Sequence, residues 1–543
     1  MNTLLKRLFG LLCLALLACE PTADPTEGKM IFCYNQSSGI SSLDPAFARV
    51  QGNIWAVKQL FNTLIDLDSA LQPIPALAKS WDISPDGLRY RFILRSDLLF
   101  HPHDCLGDQR QLSASDVVYS LERLRDPALA ASGSWLMKPV NQVIALNDST
   151  VDIILHQAFP PFLSTLSMAY ASIVPQRVVE CLGTAFSKEP IGTGPFRFHR
   201  WLWNEKMVFR KNPDYFERDA SGKPLPYLDA VAIRFLPDKQ AEYLELLKGD
   251  IDMISGLDPS YVHDILSEDG QLSPTYQSRL QMAKGPYLNT EYLGILQGQV
   301  EGKQHVLMDR KMRKAFQMAF DRRAMLKYLR RGVGMAAEAG LVPKGMPGQY
   351  LSVQDEAYQP DSARQLVTLW KNEHPQESAQ IRIHTTAAYL DLCEYVQAAL
   401  NRVGFEAEIE LMPAALLREG MANGKLQVFR ASWIADYPDA QNYLSLFYSE
   451  NKAPNGPNYT HFSHAEFDRL YRQSLTYPEL KDRVNFYQQL DSLTMYEQVL
   501  IPLYYDEAIR FYRKGWHGLR PNPLNMLELK AVYWSDTSAT TGK

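Results

Sequence analysis

Two stretches of this chain, about 150 residues apart, each alternate like a strand, continue like a helix and then alternate again. In the first, residues 231–235 lead into a helix over 239–248, Gly249 stops it, and 251–254 resume a strand. In the second, residues 381–384 precede a helix over 389–403, Gly404 stops it, and 405–411 alternate cleanly. A strand, a helix of this length and another strand make a crossover between parallel strands. Glycine just past a last helical turn supplies the left-handed residue that ends a helix. Two crossovers this far apart predict an α/β fold of two lobes, since about 515 residues exceed what one hydrophobic core supports. Two such lobes suggest a hinged binder with its ligand between them. Further helices are expected over 113–124, 361–370 and 465–473, the first with Ser113 and Asp116 spaced as a capping box.

The amino terminus sets the compartment. Lys6 and Arg7 precede an apolar run over 8–17, which ends in Leu16-Leu17-Ala18-Cys19. A basic start, a short apolar stretch and small residues before a cut site describe a secretory signal. The run is roughly half the ~20 apolar residues that cross a bilayer. Leu-x-Ala-Cys also has the form of a bacterial lipobox, with Cys19 as the acylated first residue of the mature chain; an ordinary signal that contains a cysteine is the plainer alternative. Residues 20–29, polar and proline-bearing, read as a spacer between the lipid and the fold.

Composition narrows the function classes. A net charge of −5 is small for this length and argues against a nucleic-acid partner. Nine basic residues do cluster between Arg310 and Arg331, but Met312, Ala315, Phe316 and Ala319 recur at helical spacing among them, which reads as an amphipathic helix with a solvated basic face. The 28 tyrosines and 9 tryptophans suit a binding cleft lined by rigid amphipathic rings. Of the six cysteines, Cys13 lies in the signal and Cys19 at its end. Cys33, Cys105, Cys181 and Cys393 allow three pairings for one disulfide, and spacing does not choose among them. His101-Pro-His103-Asp-Cys105 has the donors for zinc or copper, but a proline-bearing loop that merely carries histidines accounts for it better, and no metal or other cofactor is expected. The chain has no G-x-S-x-G, H-E-x-x-H, P-loop or G-x-G-x-x-G motif, so an enzyme, such as an extracellular hydrolase, is only the alternative.

The segment over 428–447 is the richest in binding groups. A strand ends near Ala431, and strand ends that face a crevice are where α/β proteins hold ligands. Trp433 offers an apolar wall, Asp436 an anion for an ammonium group and Arg430 a fork for a carboxylate. Amine at one end and carboxylate at the other is the charge pattern of a peptide; the plainer alternative has Asp436 capping a turn and Arg430 pairing with a nearby acid.

This segment resembles the ligand loop of the family 5 extracellular solute-binding proteins, the oligopeptide and dipeptide receptors of ABC importers. The likeness continues through Ser42-Leu-Asp-Pro45, Leu60-Phe-Asn-Thr-Leu64, the block over 77–95 followed by Phe100-His101, Leu112-Ser-Ala-Ser-Asp-Val-Val118, Gly192-Thr-Gly-Pro-Phe196, Arg210-Lys-Asn-Pro-Asp-Tyr215 and residues 313–322. The resemblance implies a three-domain, two-lobed clamshell: domain I from 30–55, 190–285 and 505–543, domain II from 56–189, and a second lobe from 286–504, with two crossing strands as the hinge. It implies that Asp436 takes a peptide's amino terminus, that Arg430 pairs with a carboxylate, that Ile40 offers backbone hydrogen bonds to an extended ligand, and that Tyr504 or Tyr505 lines the cleft. The partners it implies are a peptide, an ABC permease and a membrane reached through the lipid, with the receptor itself a monomer at the periplasmic face of the membrane or on the cell surface. Ser432 stands where oligopeptide receptors favour glycine, Ile434 where some carry cysteine, and residues 102–106 are inserted. Ligand class is therefore open, because relatives bind nickel complexes, haem or sugars.

Overall fold

The computed structural model describes residues 28–349 and 358–535. The signal expected over 1–19 with Cys19, and most of the spacer that follows, lie outside the described residues. Among the described residues no helix is long and apolar enough to cross a membrane.

A mixed sheet of eleven strands runs through the molecule. From one edge its order is Glu406–Leu411, Gln380–Thr385, Val428–Ile434, Leu280–Ile295, Leu500–Arg513, Met253–Ser255, Ile31–Asn35, Ala230–Arg234, Lys206–Lys211 and Phe196–Leu202, and the short strand Met335–Ala336 adds to Leu500–Arg513. Both crossovers expected from sequence are present. Gln380–Thr385 and Glu406–Leu411 are parallel neighbours, joined through the helix Leu390–Val403, which ends on Gly404 at φ +105°. Ala230–Arg234 and Met253–Ser255 are likewise linked by the helix Lys239–Lys248 and both run parallel to Ile31–Asn35, which lies between them. The helix Ala114–Glu122 carries the capping box formed by Ser113 and Asp116. The helices Pro360–Glu373 and Ala465–Ser474 stand where periodicity placed them.

Two long strands cross from one half of the sheet to the other. Leu280–Ile295 pairs antiparallel with Leu500–Arg513, and the pairing lapses between Pro286 and Thr290. On one side of that lapse Met253–Ser255 continues the sheet against Arg510–Tyr512; on the other Val428–Ile434 continues it against Asn289–Ile295. Within the lapse the Leu288 N–H turns instead to the Pro523 carbonyl at 2.7 Å. A separate antiparallel sheet, Ala78–Ile83, Arg89–Leu94, Thr150–Leu155 and Val140–Asn147, shares a continuous apolar core with the first half. The second half has apolar cores of its own on the two faces of its strands.

Two expectations need revision. The basic stretch is two helices, Arg310–Met318 and Arg322–Arg330, because Asp321 caps the second through the Arg323 and Ala324 N–H groups. Its basic face is also only partly solvated. Arg313 donates to the carbonyls of Leu307, Met308 and Glu497, Arg322 to that of Pro502, and Arg330 to Asp506. Guanidinium planes can fill several carbonyl acceptors at once, so these arginines serve as buried crosslinks. The three possible cysteine pairings resolve to Cys105–Cys181, with Cys33 and Cys393 free.

Candidate ligand-binding site

Where the two long strands cross, a cavity of about 390 Å³ opens between the halves. The first half lines it with residues 255–259, the second with Ser432, Ile434 and Tyr389, and the crossing strands with Tyr287, Asn289, Glu291, Tyr504 and Asp506. Alternation along Val428–Ile434 explains the choice: Ser432 and Ile434 face the cavity, while Ala431 and Trp433 pack into an apolar core behind the strand.

Charge is concentrated here in pairs. Arg430 binds Glu291, and its guanidinium carbon lies 3.1 Å from the centre of the Tyr389 ring. Arg330 binds Asp506 at 2.5 Å and sits over Tyr504 at 4.6 Å. Burial pushes the Glu291 carboxyl up and Arg430 pulls it back. A buried carboxylate without its arginine would be strongly destabilised, so these partners hold one another in place.

Asp436 is placed differently. It follows the strand end, is half-buried, and receives the Asn442 amide at 3.2 Å. Among the described residues it has no cationic partner. Burial, weakly opposed by Asn442, pushes its carboxyl up to about 6. Asn442 organises the whole corner, because its Oδ1 also accepts from the Trp433 indole at 2.8 Å and from the Asp436 N–H at 3.2 Å. Tyr437, the next residue, is buried among first-half residues although it belongs to the second.

The remaining sequence-derived residues fall as follows. Arg430 is close to the cavity but committed to Glu291, 139 positions away, as in the plainer of its two readings, and its buried Nε is unpartnered. Trp433 stands on the face away from the cavity. Tyr504 lines the cavity, whereas Tyr505 turns away and donates to the Gly340 carbonyl at 2.7 Å. Ile40 is buried in the first-half core. Its own N–H and carbonyl make no hydrogen bond among the described residues.

His101, His103 and Cys105 form no metal centre, and no group of three or more metal donors exists among the described residues. His101 is buried, with Nε2 3.0 Å from the Gly194 carbonyl and Nδ1 accepting the Gly192 N–H at 3.3 Å. Burial pushes it down to about 3, and Cys105 is in the disulfide. The residues sequence reasoning missed are Glu291, Arg330, Tyr389 and Asp506. Arg330 lay within the basic run, and the others carry no local pattern.

Two halves joined by two crossing strands, with a charged cavity of ligand size at the crossing, define a hinged solute-binding protein of clamshell form. A family model described as bacterial extracellular solute-binding proteins, family 5 (middle), matches residues 72–455, and the chain belongs to that family. The "Probable di/tripeptide-binding protein 5" of Pseudomonas aeruginosa is 26% identical over 506 residues, 87% of this chain and 89% of that protein. The dipeptide-binding protein of Escherichia coli is 25% identical over 469 residues, 81% of this chain and 82% of that one. The solved structure of DppA from Helicobacter pylori in complex with the peptide STSA shares the fold with a TM-score of 0.80 at 24% identity, over 93% of this chain and 98% of that one. Proteins of this family bind substrates for ABC importers and are not enzymes, so the hydrolase alternative falls.

Proposed function

We propose that the chain is a lipid-anchored receptor that captures short peptides between its lobes and delivers them to an ABC permease. The observation that carries this is Asp436, a half-buried carboxylate two residues beyond Ile434 of the cavity wall, with no cation of its own among the described residues. A half-buried anion left unpaired is costly unless a ligand completes it, and a peptide's amino terminus has the charge and the donors to do so. Ile40 supports the assignment, since its unpaired N–H and carbonyl suit an extended backbone. The relatives named for dipeptides and tripeptides agree with it. On this proposal the three-domain division given above holds, the crossing strands are the hinge, Tyr504 lines the cleft, and lipid on Cys19 tethers a monomer outside the cytoplasm.

The test is thermal unfolding of residues 20–543 with and without pools of two- to six-residue peptides. A ligand that binds only the folded form adds about 2.7 kcal/mol at 100 times its Kd, which raises the midpoint measurably. An unmoved midpoint with every pool, together with silent calorimetry, overturns the peptide assignment.

A further inference from the structure

The cavity has more acids than cations to neutralise them. Arg430 answers Glu291, and Arg330 answers Asp506. Lys284 lies 3.3 Å from Glu507, and Lys239 is held by Glu242 at 2.6 Å. That uses the cations of the wall itself, Lys239 and Arg330, while Arg510 behind it is turned onto Asn525 and the carbonyls of Arg520 and Met526. Two carboxylates are left over, Asp258 from the first lobe and Asp391 from the second. Both are half-buried, and neither has an ion-pair partner among the described residues. Their hydrogen bonds are local: Asp258 accepts from Ser260, and Asp391 from the Leu392 N–H.

A second observation points the same way. Asn289 lines the same cavity and is only 4% exposed. Its amide nitrogen donates to Glu291 at 3.1 Å, which turns its Oδ1 to the other side, where that oxygen has no partner. A buried acceptor left empty costs free energy until a donor reaches it. Two excess carboxylates and one empty acceptor call for a group that is both cationic and rich in N–H.

We infer that the ligand carries a basic side chain, an ammonium or guanidinium, received in this cavity by Asp258, Asp391 and Asn289. This rests on the peptide-receptor assignment above and adds a preference within it: basic peptides over neutral ones, and neutral over acidic. Arg430 does not oppose the preference, because its charge is already matched by Glu291. A cation held by one acid from each lobe also favours the closed form, since both contacts exist only when the lobes meet.

The experiment is calorimetry of the mature protein, stripped of ligand, with Ala-Lys, Ala-Gln and Ala-Glu. Affinity is expected to fall about tenfold at each step from basic to neutral to acidic, the size of one half-buried charge pair. In the double variant Asp258→Asn, Asp391→Asn the ratio of Ala-Lys to Ala-Gln should collapse toward one, while Asp258→Glu, Asp391→Glu should keep it. Unfolding curves of the ligand-free variants establish that each is folded. An Ala-Glu affinity equal to that of Ala-Lys overturns the inference and leaves the peptide assignment standing, and so does an order that survives in the Asn double variant. Binding of none of these or of longer peptides overturns both.

Discussion

Asp436 sets stability against binding within a single side chain. Its carboxyl titrates near 6 in the folded protein, above an ordinary aspartate at 3.8. The folded state therefore holds a proton the unfolded state has lost between those values, and stability falls as pH rises through that window. The full shift corresponds to about 3 kcal/mol, and retained solvent contact reduces this to about 1–2 kcal/mol. Asp436→Asn should accordingly stabilise the ligand-free protein by about 1–2 kcal/mol at pH 7.5 and by little at pH 4, read by denaturant unfolding at both. The same change should weaken a free-amine dipeptide about 100-fold and its N-acetylated form hardly at all, because only the former brings an ammonium to the site. A variant less stable at pH 7.5 would mean that the carboxylate is already satisfied without ligand.

The loop carrying His101 and the turn Gly192-Thr-Gly194 form one unit, and it shows what sequence can and cannot convey. A Cβ on Gly194 would lie 2.3 Å from the backbone carbon of Leu60, so the helix end and the turn touch main chain to main chain. His101 fills the remaining space and must stay neutral, with its proton affinity pushed down to about 3. Since the unfolded imidazole titrates near 6.5, stability is present in full above that pH and is lost as pH falls below it. Between pH 6.5 and 4.5 the loss from this group is about 2 kcal/mol. His101→Gln should cost about 1–3 kcal/mol at pH 7.5 and remove that acid-side slope, measured by denaturant unfolding at the two pH values. An unchanged slope would show that another group carries it. The histidine pattern was visible in sequence, but its packing role was not, because its partners lie more than 90 positions away. The helices Lys239–Lys248 and Leu390–Val403 were legible because period, cap and terminal glycine are all local. The basic run misled because Asp321 acts as an N-cap within it. Leu280–Ile295 escaped notice as a strand: it contains Gly285 and Pro286, and its pairing with Leu500–Arg513 is set by residues some 200 positions downstream. Asp436 could be proposed from its loop alone, whereas the partnership of Arg430 with Glu291 depends on that same long-range register.

Closure of the whole molecule depends on contacts that neither lobe needs for its own fold. Each half of the sheet has its own apolar cores, and the ladder between the crossing strands lapses at the point of crossing. A rigid-body swing about that lapse would leave most of each core intact, which is how a hinge of few residues absorbs a large motion. Tyr437 is among the residues that cross between them: it belongs to the second lobe, follows Asp436 directly and is buried in the core of the first, as Val333 is in another first-half core and Leu524 in a core of the second. Truncating a buried aromatic ring costs about 3–5 kcal/mol where its contacts are always made. On the closure proposed above those contacts are made only in the closed form, so the cost is expected to fall on the open–closed equilibrium and not on unfolding. Tyr437→Ala should lower peptide affinity about 100-fold. The unfolding midpoint of the ligand-free protein should stay close to that of the parent. In small-angle scattering, the contraction that saturating peptide produces in the parent should be smaller at the same peptide concentration. If the variant instead unfolds at much lower denaturant and still contracts fully with ligand, Tyr437 supports the fold of a lobe and the lobes close by other contacts. On the proposed function, a peptide would meet its anchor and the lock of the clamshell at adjacent positions, Asp436 and Tyr437, so that occupying the first draws the second into place.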